Sequence, residues 1–313
     1  MNRFYEDVLR GLSADSKYLE SKYFYDKEGD ILFQEIMDCP EYYPTRCELE
    51  IFSGQTTMMS GLFKSDDSDF DLVELGAGDA TKSIYLLQQL QSGHAAFTYY
   101  PIDISSNVIK LLHDKLPVAI PGIKVHGLNG EYFEMLAALN GISTKRKVVL
   151  FLGSNIGNIP LDGAEAFCRE MRSHLAVGDL VLIGFDLKKD PRTILAAYND
   201  KGGITRRFNL NLLRRINEEL GADFDLSRFE HYPVYDPATG TCKSYLVSLA
   251  DQRVCIGDTE CFDFKEGEPI HTEISQKYTV EQTNELAIRS GFKAVKHLFD
   301  LKHWFLDAIW ECV

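Results

Sequence analysis

Hydrophobic and polar positions repeat in two periods along the chain. Between about Phe70 and Phe185, short apolar runs alternate with amphipathic stretches: DFDLVELG is followed by TKSIYLLQQL, FTYYPIDIS by SNVIKLLHDKL, and KVVLFLGS by AEAFCREMRSHL, before DLVLIGFD closes the series. Near-continuous apolar runs suit strands covered on both faces, and intervening helices of this length allow parallel connections, so the pattern predicts an α/β fold with a doubly wound sheet. Ligands of such sheets bind outside the carboxyl ends of the strands, which selects the loops that follow each run.

Two regions leave this rhythm. The N-terminal stretch reads as helical and aromatic-rich, with YFYD at Tyr23 to Asp26 and EYYPTR at Glu41 to Arg46, and Pro44 is expected to end or redirect a helix. From Asp190 to Tyr278, a long helix carries Leu213, Ile216 and Leu220 at helical spacing up to Gly221, and strand-like runs such as SYLVSL follow. GFKAVKHLF and WFLDAIW predict a last strand pair returning to the main sheet. The expected division is therefore a core over 51–189 and 279–313, interrupted by a second, discontinuous α+β domain over 1–50 and 190–278.

Charge narrows the partner. The 313 residues hold 47 acidic against 33 basic side chains, a net charge of −14, which disfavours nucleic acid and anionic membrane surfaces and favours a small molecule. The N-terminal sequence has no signal-like apolar core, and no run is long enough for a membrane span, so a cytoplasmic monomer is expected. Cys39, Cys47, Cys168, Cys242, Cys255, Cys261 and Cys312 are scattered and never spaced C-x-x-C. They read as reduced thiols, and with no histidine pattern either, no metal is expected.

The first core strand runs into Glu74-Leu75-Gly76-Ala77-Gly78-Asp79-Ala80-Thr81-Lys82. Gly76 and Gly78 allow a sharp turn and a close approach to a ligand. A dinucleotide fingerprint wants a third glycine where Thr81 stands, and a pyrophosphate would meet the carboxylate of Glu74. A cationic cofactor with an ammonium group, S-adenosylmethionine, fits that charge better, although ordinary turn glycines would read the same way. Asp103 ends the second run and suits either a ribose or a helix N-cap, a duty Ser105 could share. Asn129-Gly130 suits either adenine recognition or a plain turn. The loop from Gly153 to Asn158 adds polar groups after a further strand, with Asn158 a candidate binder of a small polar substrate.

Taken in order, YFYD, EYYPTR, ELGAGDATK, PIDIS, FLGSNIGN, AYND, FNLNLL, GADFD and EISQKY make a chain that resembles the histidine Nα-methyltransferases of ergothioneine biosynthesis. The resemblance runs from about Tyr23 to Tyr278. It implies a Rossmann-like class I methyltransferase sheet with a substrate-binding domain, S-adenosylmethionine as cofactor, and conversion of L-histidine to the trimethylated betaine hercynine. It places Gly76 and Lys82 at the methionine end of the cofactor, Asp103 at the ribose, Asn129 and Gly130 at the adenine, and Tyr25 near the cofactor and the reacting amine. The family usually has aspartate at the Asn129 position, and an asparagine oxygen still accepts from an adenine amino group.

The same resemblance implies that Asn158 and Tyr198 hold the substrate carboxylate, and that Tyr42, Glu273 and Ser275 contact the imidazole. Tyr25 and Tyr42 are thus the catalytic candidates, and Gly153 joins the substrate-binding set. An apolar methionine of the family's central strand aligns with Tyr245, leaving the outer pocket shape open. Glu273 matters for substrate choice, because a carboxylate accepts from an imidazole N–H but is unsatisfied beside an aliphatic group or an indole ring face. Methylation of another amino acid, such as a tryptophan derivative, and a non-catalytic cofactor-binding homologue are the alternatives. Arg206, Arg207, Arg214 and Arg215 are expected to form a solvated helix face.

Overall fold

The computed structural model describes residues 3–64, 69–257 and 260–313. In chain order it runs α1 (Arg3–Leu12), α2 (Lys27–Asp38), α3 (Tyr43–Phe63), β1 (Phe70–Leu75), α4 (Ser83–Ser92), β2 (Phe97–Asp103), α5 (Ser106–Ala119), β3 (Leu128–Asn129), α6 (Tyr132–Ile142), β4 (Arg146–Phe151), α7 (Leu161–Ser173) and β5 (Leu180–Asp186). There follow α8 (Pro191–Ala197), α9 (Ile204–Leu220), β6 (Phe229–Asp236), β7 (Thr241–Ser248), β8 (Gln252–Ile256), β9 (Glu260–Phe264), β10 (Pro269–Gln276), α10 (Val280–Arg289), β11 (Phe292–Phe299) and β12 (Phe305–Cys312). Two compact units emerge, Met1–Tyr43 with Lys189–Gln276 and Pro44–Lys188 with Lys277–Val313.

The second unit contains the predicted sheet. Its seven strands lie in the order β11-β12-β5-β4-β1-β2-β3. Strands β1 to β5 pair in parallel, while β12 runs antiparallel to β5 and β11 antiparallel to β12. Every residue of β1 and β5 is buried, as continuous apolar runs require. On one side the sheet packs Val73, Val149, Val181 and Trp310 with Leu136, Cys168 and Ala287 of α6, α7 and α10. The stretch IKVHGL yields less strand than expected, since β3 pairs only Leu128 and Asn129 with β2, and Val125 merely bridges to Tyr99.

Two boundaries differ from the sequence expectation. Pro44 starts a helix instead of ending one, because its missing N–H and fixed φ suit a first turn. The uninterrupted α3 then moves the division from residue 50 to Tyr43. Further along, Lys277 and Tyr278 join the sheet unit: the Lys277 ammonium lies 2.7 Å from the Asp186 carboxylate, both fully buried, and the Tyr278 N–H donates to the Asp186 carbonyl at 3.0 Å.

The first unit packs Phe4, Phe24, Leu32, Phe208, Leu213, Phe229, Leu246 and Ile270 into its own core. Helix α9 stops at Gly221, whose φ of +66° lets its N–H reach the Asn217 carbonyl. Arg206 and Arg207 of this helix form exposed ion pairs with Glu230 and Glu35, as the solvated-face reading expected, whereas Arg215 departs from it: only 18% exposed, it donates to the Tyr23 carbonyl at 2.9 Å and lies over the Phe4 ring. An antiparallel sheet has the order β10-β7-β6. Residues Lys17 to Leu19 lie along β10, where the His271 N–H donates to the Lys17 carbonyl and the Leu19 N–H to the His271 carbonyl. Strands β8 and β9 form a hairpin that places Cys255 directly opposite Cys261, with a disulfide joining them. That pairing corrects the all-thiol expectation: hairpin register closes a spacing that is unremarkable in sequence. The other five cysteines are buried. Among the described residues, no helix is long and apolar enough to cross a membrane.

Candidate functional site

Within the sheet unit, the predicted cofactor residues converge on the ends of β1, β2 and β3. Gly76 leaves β1 at a φ of +72°, and a Cβ there would stand 2.9 Å from the Tyr132 hydroxyl. Gly78 follows at +52°, and its N–H donates to Asp103 Oδ2 at 3.2 Å. Asp103 Oδ1 accepts the Ser105 N–H at 2.9 Å, while Ser105 Oγ caps α5. The two duties weighed for Asp103 therefore divide: Ser105 is the cap, and Asp103 ties the glycine loop to the end of β2. Burial raises the Asp103 carboxyl above its ordinary range, and the two amide N–H groups oppose that rise.

Asn129 and Gly130 join the same cluster. The Asn129 amide nitrogen donates to the carbonyls of Asp103 and Ile104, at 2.9 Å each, and the Gly130 N–H donates to the Asp103 carbonyl at 3.1 Å. Both bonds engage the nitrogen of the exposed Asn129 side chain, whose amide oxygen is the group that can accept. Gly78, Asp103, Asn129 and Gly130 are thus one hydrogen-bonded assembly, beside which the Gly76 N–H donates to the Ile102 carbonyl at 2.8 Å.

Glu74 and Lys82 lie deeper. Glu74 is 3% exposed and accepts the Tyr99 hydroxyl at 2.5 Å. Burial pushes its carboxyl up to about 7, against the Tyr99 hydrogen bond and the nearby Lys82 charge. Lys82 stands just before α4 with its ammonium bonded to the carboxylate of Glu48, a fully buried residue of α3. Glu48 also accepts the Gly153 N–H with both oxygens, at 2.8 and 3.0 Å. Gly153 and Ser154 take φ values of +73° and +57°, after which a short turn runs from Asn155 to Asn158 and leaves Asn158 exposed. Nothing in the local sequence marks Glu48, whose contacts come from segments far away in the chain.

In the first unit, the predicted aromatic residues form two groups. Tyr25 is 43% exposed and leans its ring edgewise on Phe33 and Phe208, at centroid distances of 5.5 and 5.9 Å. Tyr42 meets Tyr198 edge-on at 6.3 Å, and the Tyr198 hydroxyl donates to Ser275 Oγ at 2.7 Å. Tyr198 and Ser275 are both buried.

Strand register then separates Glu273 from Tyr245. A bulge between His271 and Glu273 sets Glu273 opposite Ser244, and Ser275 opposite Cys242, whereas Tyr245 pairs with His271 and Tyr232. Because side chains alternate along a strand, Glu273 and Ser275 share the face of Cys242, Ser244 and Leu246, and Tyr245 takes the other. Its ring lies 5.5 Å from that of His271. Tyr245, which aligns with the family's apolar methionine and is counted in the expected substrate-binding set, thus lies on the opposite sheet face from Glu273 and Ser275, while the fully buried Ser244 pairs with Glu273. Burial alternates along β7, with Cys242, Ser244, Leu246 and Ser248 inside.

Comparison with known proteins gives the family. The pattern of the family described as histidine-specific methyltransferase, SAM-dependent, matches residues 4–312. The chain is 32% identical over 302 residues to the histidine N-alpha-methyltransferase of Mycolicibacterium smegmatis, covering 96% of this chain and 90% of that protein. It is 32% identical over 291 residues to the protein of the same name from Mycobacterium tuberculosis, covering 93% and 89%. A more distant relative, the 4-dimethylallyltryptophan N-methyltransferase of Claviceps purpurea, is 24% identical over 310 residues, covering 91% and 88%. A seven-stranded sheet ending in an antiparallel strand pair, a glycine turn tied to the β2 acid, and likeness along nearly the whole chain lead to one assignment: the protein belongs to the histidine-specific, S-adenosylmethionine-dependent N-methyltransferases.

Proposed function

We propose that the protein methylates the α-amino group of L-histidine three times, giving hercynine. The observation that carries this reading is the buried Tyr198–Ser275 hydrogen bond, with Tyr42 against Tyr198 and Glu273 on the sheet face of Ser275. This set offers hydroxyls and a carboxylate to a polar ring bearing N–H groups. A tryptophan-type ring would leave more of these groups unsatisfied. The two mycobacterial relatives, named for the histidine reaction, support the same choice.

S-adenosylmethionine supplies an electrophilic methyl group on a positively charged sulfur. The chain's polar groups suit that molecule: Asp103 accepts from ribose hydroxyls, the Asn129 oxygen from the adenine amino group and Glu74 from an ammonium, while Lys82 donates to a carboxylate. In the first unit, Glu273 and Ser275 accept from the imidazole, and the Tyr198 hydroxyl fixes the Ser275 oxygen; in the sheet unit, the exposed Asn158 offers an amide donor to a carboxylate. The attacking amine must be neutral, and an α-amino group titrates near 8 in peptides, so orientation and partial desolvation favour the deprotonated form. Each transfer forms an N–CH3 bond with the amine's lone pair and breaks the S–CH3 bond, and the methylated nitrogen loses a proton to water before the next round. The faces of Tyr25 and Tyr42 suit the ammonium product, which keeps its charge after the third methyl.

Mass spectrometry after incubation with S-adenosylmethionine and a panel of amino acids tests the reading. Trimethylated histidine as the main product is expected. Turnover of tryptophan derivatives in its place, or binding of the cofactor with no turnover of any amino acid, overturns it.

A further inference from the structure

Glu48 was not anticipated from the sequence, yet it joins two loops to which the functional reading assigns roles. Its carboxylate is fully buried, bonded to Lys82 of the glycine loop and to the amide of Gly153, where the turn bearing Asn158 begins. Room for it comes from Gly184 of β5, where a Cβ would stand 2.5 Å from Glu48 Oε1. Asp307 of β12 is paired with Gly184 and is itself fully buried, with the Glu48 carboxylate as a side-chain hydrogen-bond partner. Burial beside Glu48 holds Asp307 well above the usual carboxylate range, so a neutral acid adjoins the Glu48–Lys82 ion pair. Carboxylates buried at this depth are costly unless each oxygen is used, and Glu48 uses both.

We propose that Glu48 is a positioning residue, whose carboxylate sets the Lys82 ammonium and the Gly153 turn in register so that the cofactor's methionine end and the substrate carboxylate are received in the right places. The proposal rests on the histidine reading only for its substrate half. Glutamine has the same shape but a single acceptor oxygen, so in Glu48→Gln an NH2 group faces either the Gly153 N–H or the Lys82 ammonium. Gly184→Ala displaces the same carboxylate while leaving its charge intact.

Calorimetry with S-adenosylhomocysteine, steady-state kinetics with histidine and thermal melting of the full-length variants test this. Losing a charge-assisted contact at a buried site predicts about tenfold or more weaker S-adenosylhomocysteine binding in Glu48→Gln, with a matching loss in kcat/KM for histidine. Gly184→Ala is expected to show the same pattern, and it carries the test should Glu48→Gln fail to fold. Removing Glu48 also withdraws the charge that raises the Lys82 ammonium, so cofactor affinity in Glu48→Gln falls off at lower pH than in wild type. Variants that melt at lower temperature but keep wild-type affinity, kcat/KM and pH profile would reduce Glu48 to a structural role and overturn the proposal. If wild type binds S-adenosylhomocysteine but does not methylate histidine, the substrate reading fails, and the affinity arm still decides the role of Glu48 toward Lys82.

Discussion

Replacing Glu74 by glutamine removes one ionisation and keeps an acceptor for the Tyr99 hydroxyl. Burial lifts this carboxyl from its ordinary 4.5 to about 7. The native state therefore holds the Glu74 proton more tightly than the unfolded chain does. The stability this contributes is fully present below pH 4.5 and is lost as pH rises through about 7. At about 1.4 kcal/mol per pH unit, the whole loss is about 3 kcal/mol, of which about 2 kcal/mol falls between about pH 5.5 and about pH 8. Both tryptophans, Trp304 and Trp310, belong to the same unit as Glu74, so urea titration followed by their fluorescence reports on it. Wild type is expected to lose about 2 kcal/mol more than Glu74→Gln over that interval. Saturating S-adenosylmethionine should shrink the difference, because a cation beside Glu74 favours its charged form. Parallel pH profiles for the two proteins, within about 0.5 kcal/mol, would refute the reasoning.

Three further outcomes follow from the contacts described. Tyr198→Phe loses the buried bond to Ser275, which should cost about 1 kcal/mol of stability and raise the KM for histidine about tenfold, as read by melting and initial rates. Asn129→Leu removes the amide that donates to the carbonyls of Asp103 and Ile104. S-adenosylhomocysteine affinity should drop about tenfold by calorimetry, since the oxygen acceptor and the two bonds that hold it are lost together. Lys277→Met removes the buried ammonium that faces the Asp186 carboxylate at 2.7 Å. A loss of about 3–5 kcal/mol in urea unfolding is expected.

The sequence was most legible where local chemistry decides the structure. Apolar runs gave the buried parallel strands, Gly221 gave the end of α9, and the ELGAGDATK glycines gave a turn that only positive φ allows. Pairing across distance was much harder to read. Cys255 and Cys261 meet only through the register of β8 and β9. Tyr245 and Ser244 are adjacent in the chain, and a one-residue choice of face decides which of them Glu273 pairs with. Glu48 depends on a missing Cβ at Gly184 and an amide at Gly153, a combination that no local pattern announces. Pro44 was misread because proline breaks a helix interior but suits its first turn.

The short segment from Lys17 to Leu19 has a consequence for the behaviour of the protein in solution. By bonding to both sides of the His271 peptide, it covers the outer edge of β10, the strand that carries Glu273 and Ser275. An uncovered edge presents N–H and C=O groups that invite pairing with another chain. Lifting this segment away would therefore do more than loosen the N-terminal region: it would turn the strand bearing the proposed histidine contacts into a template for self-association.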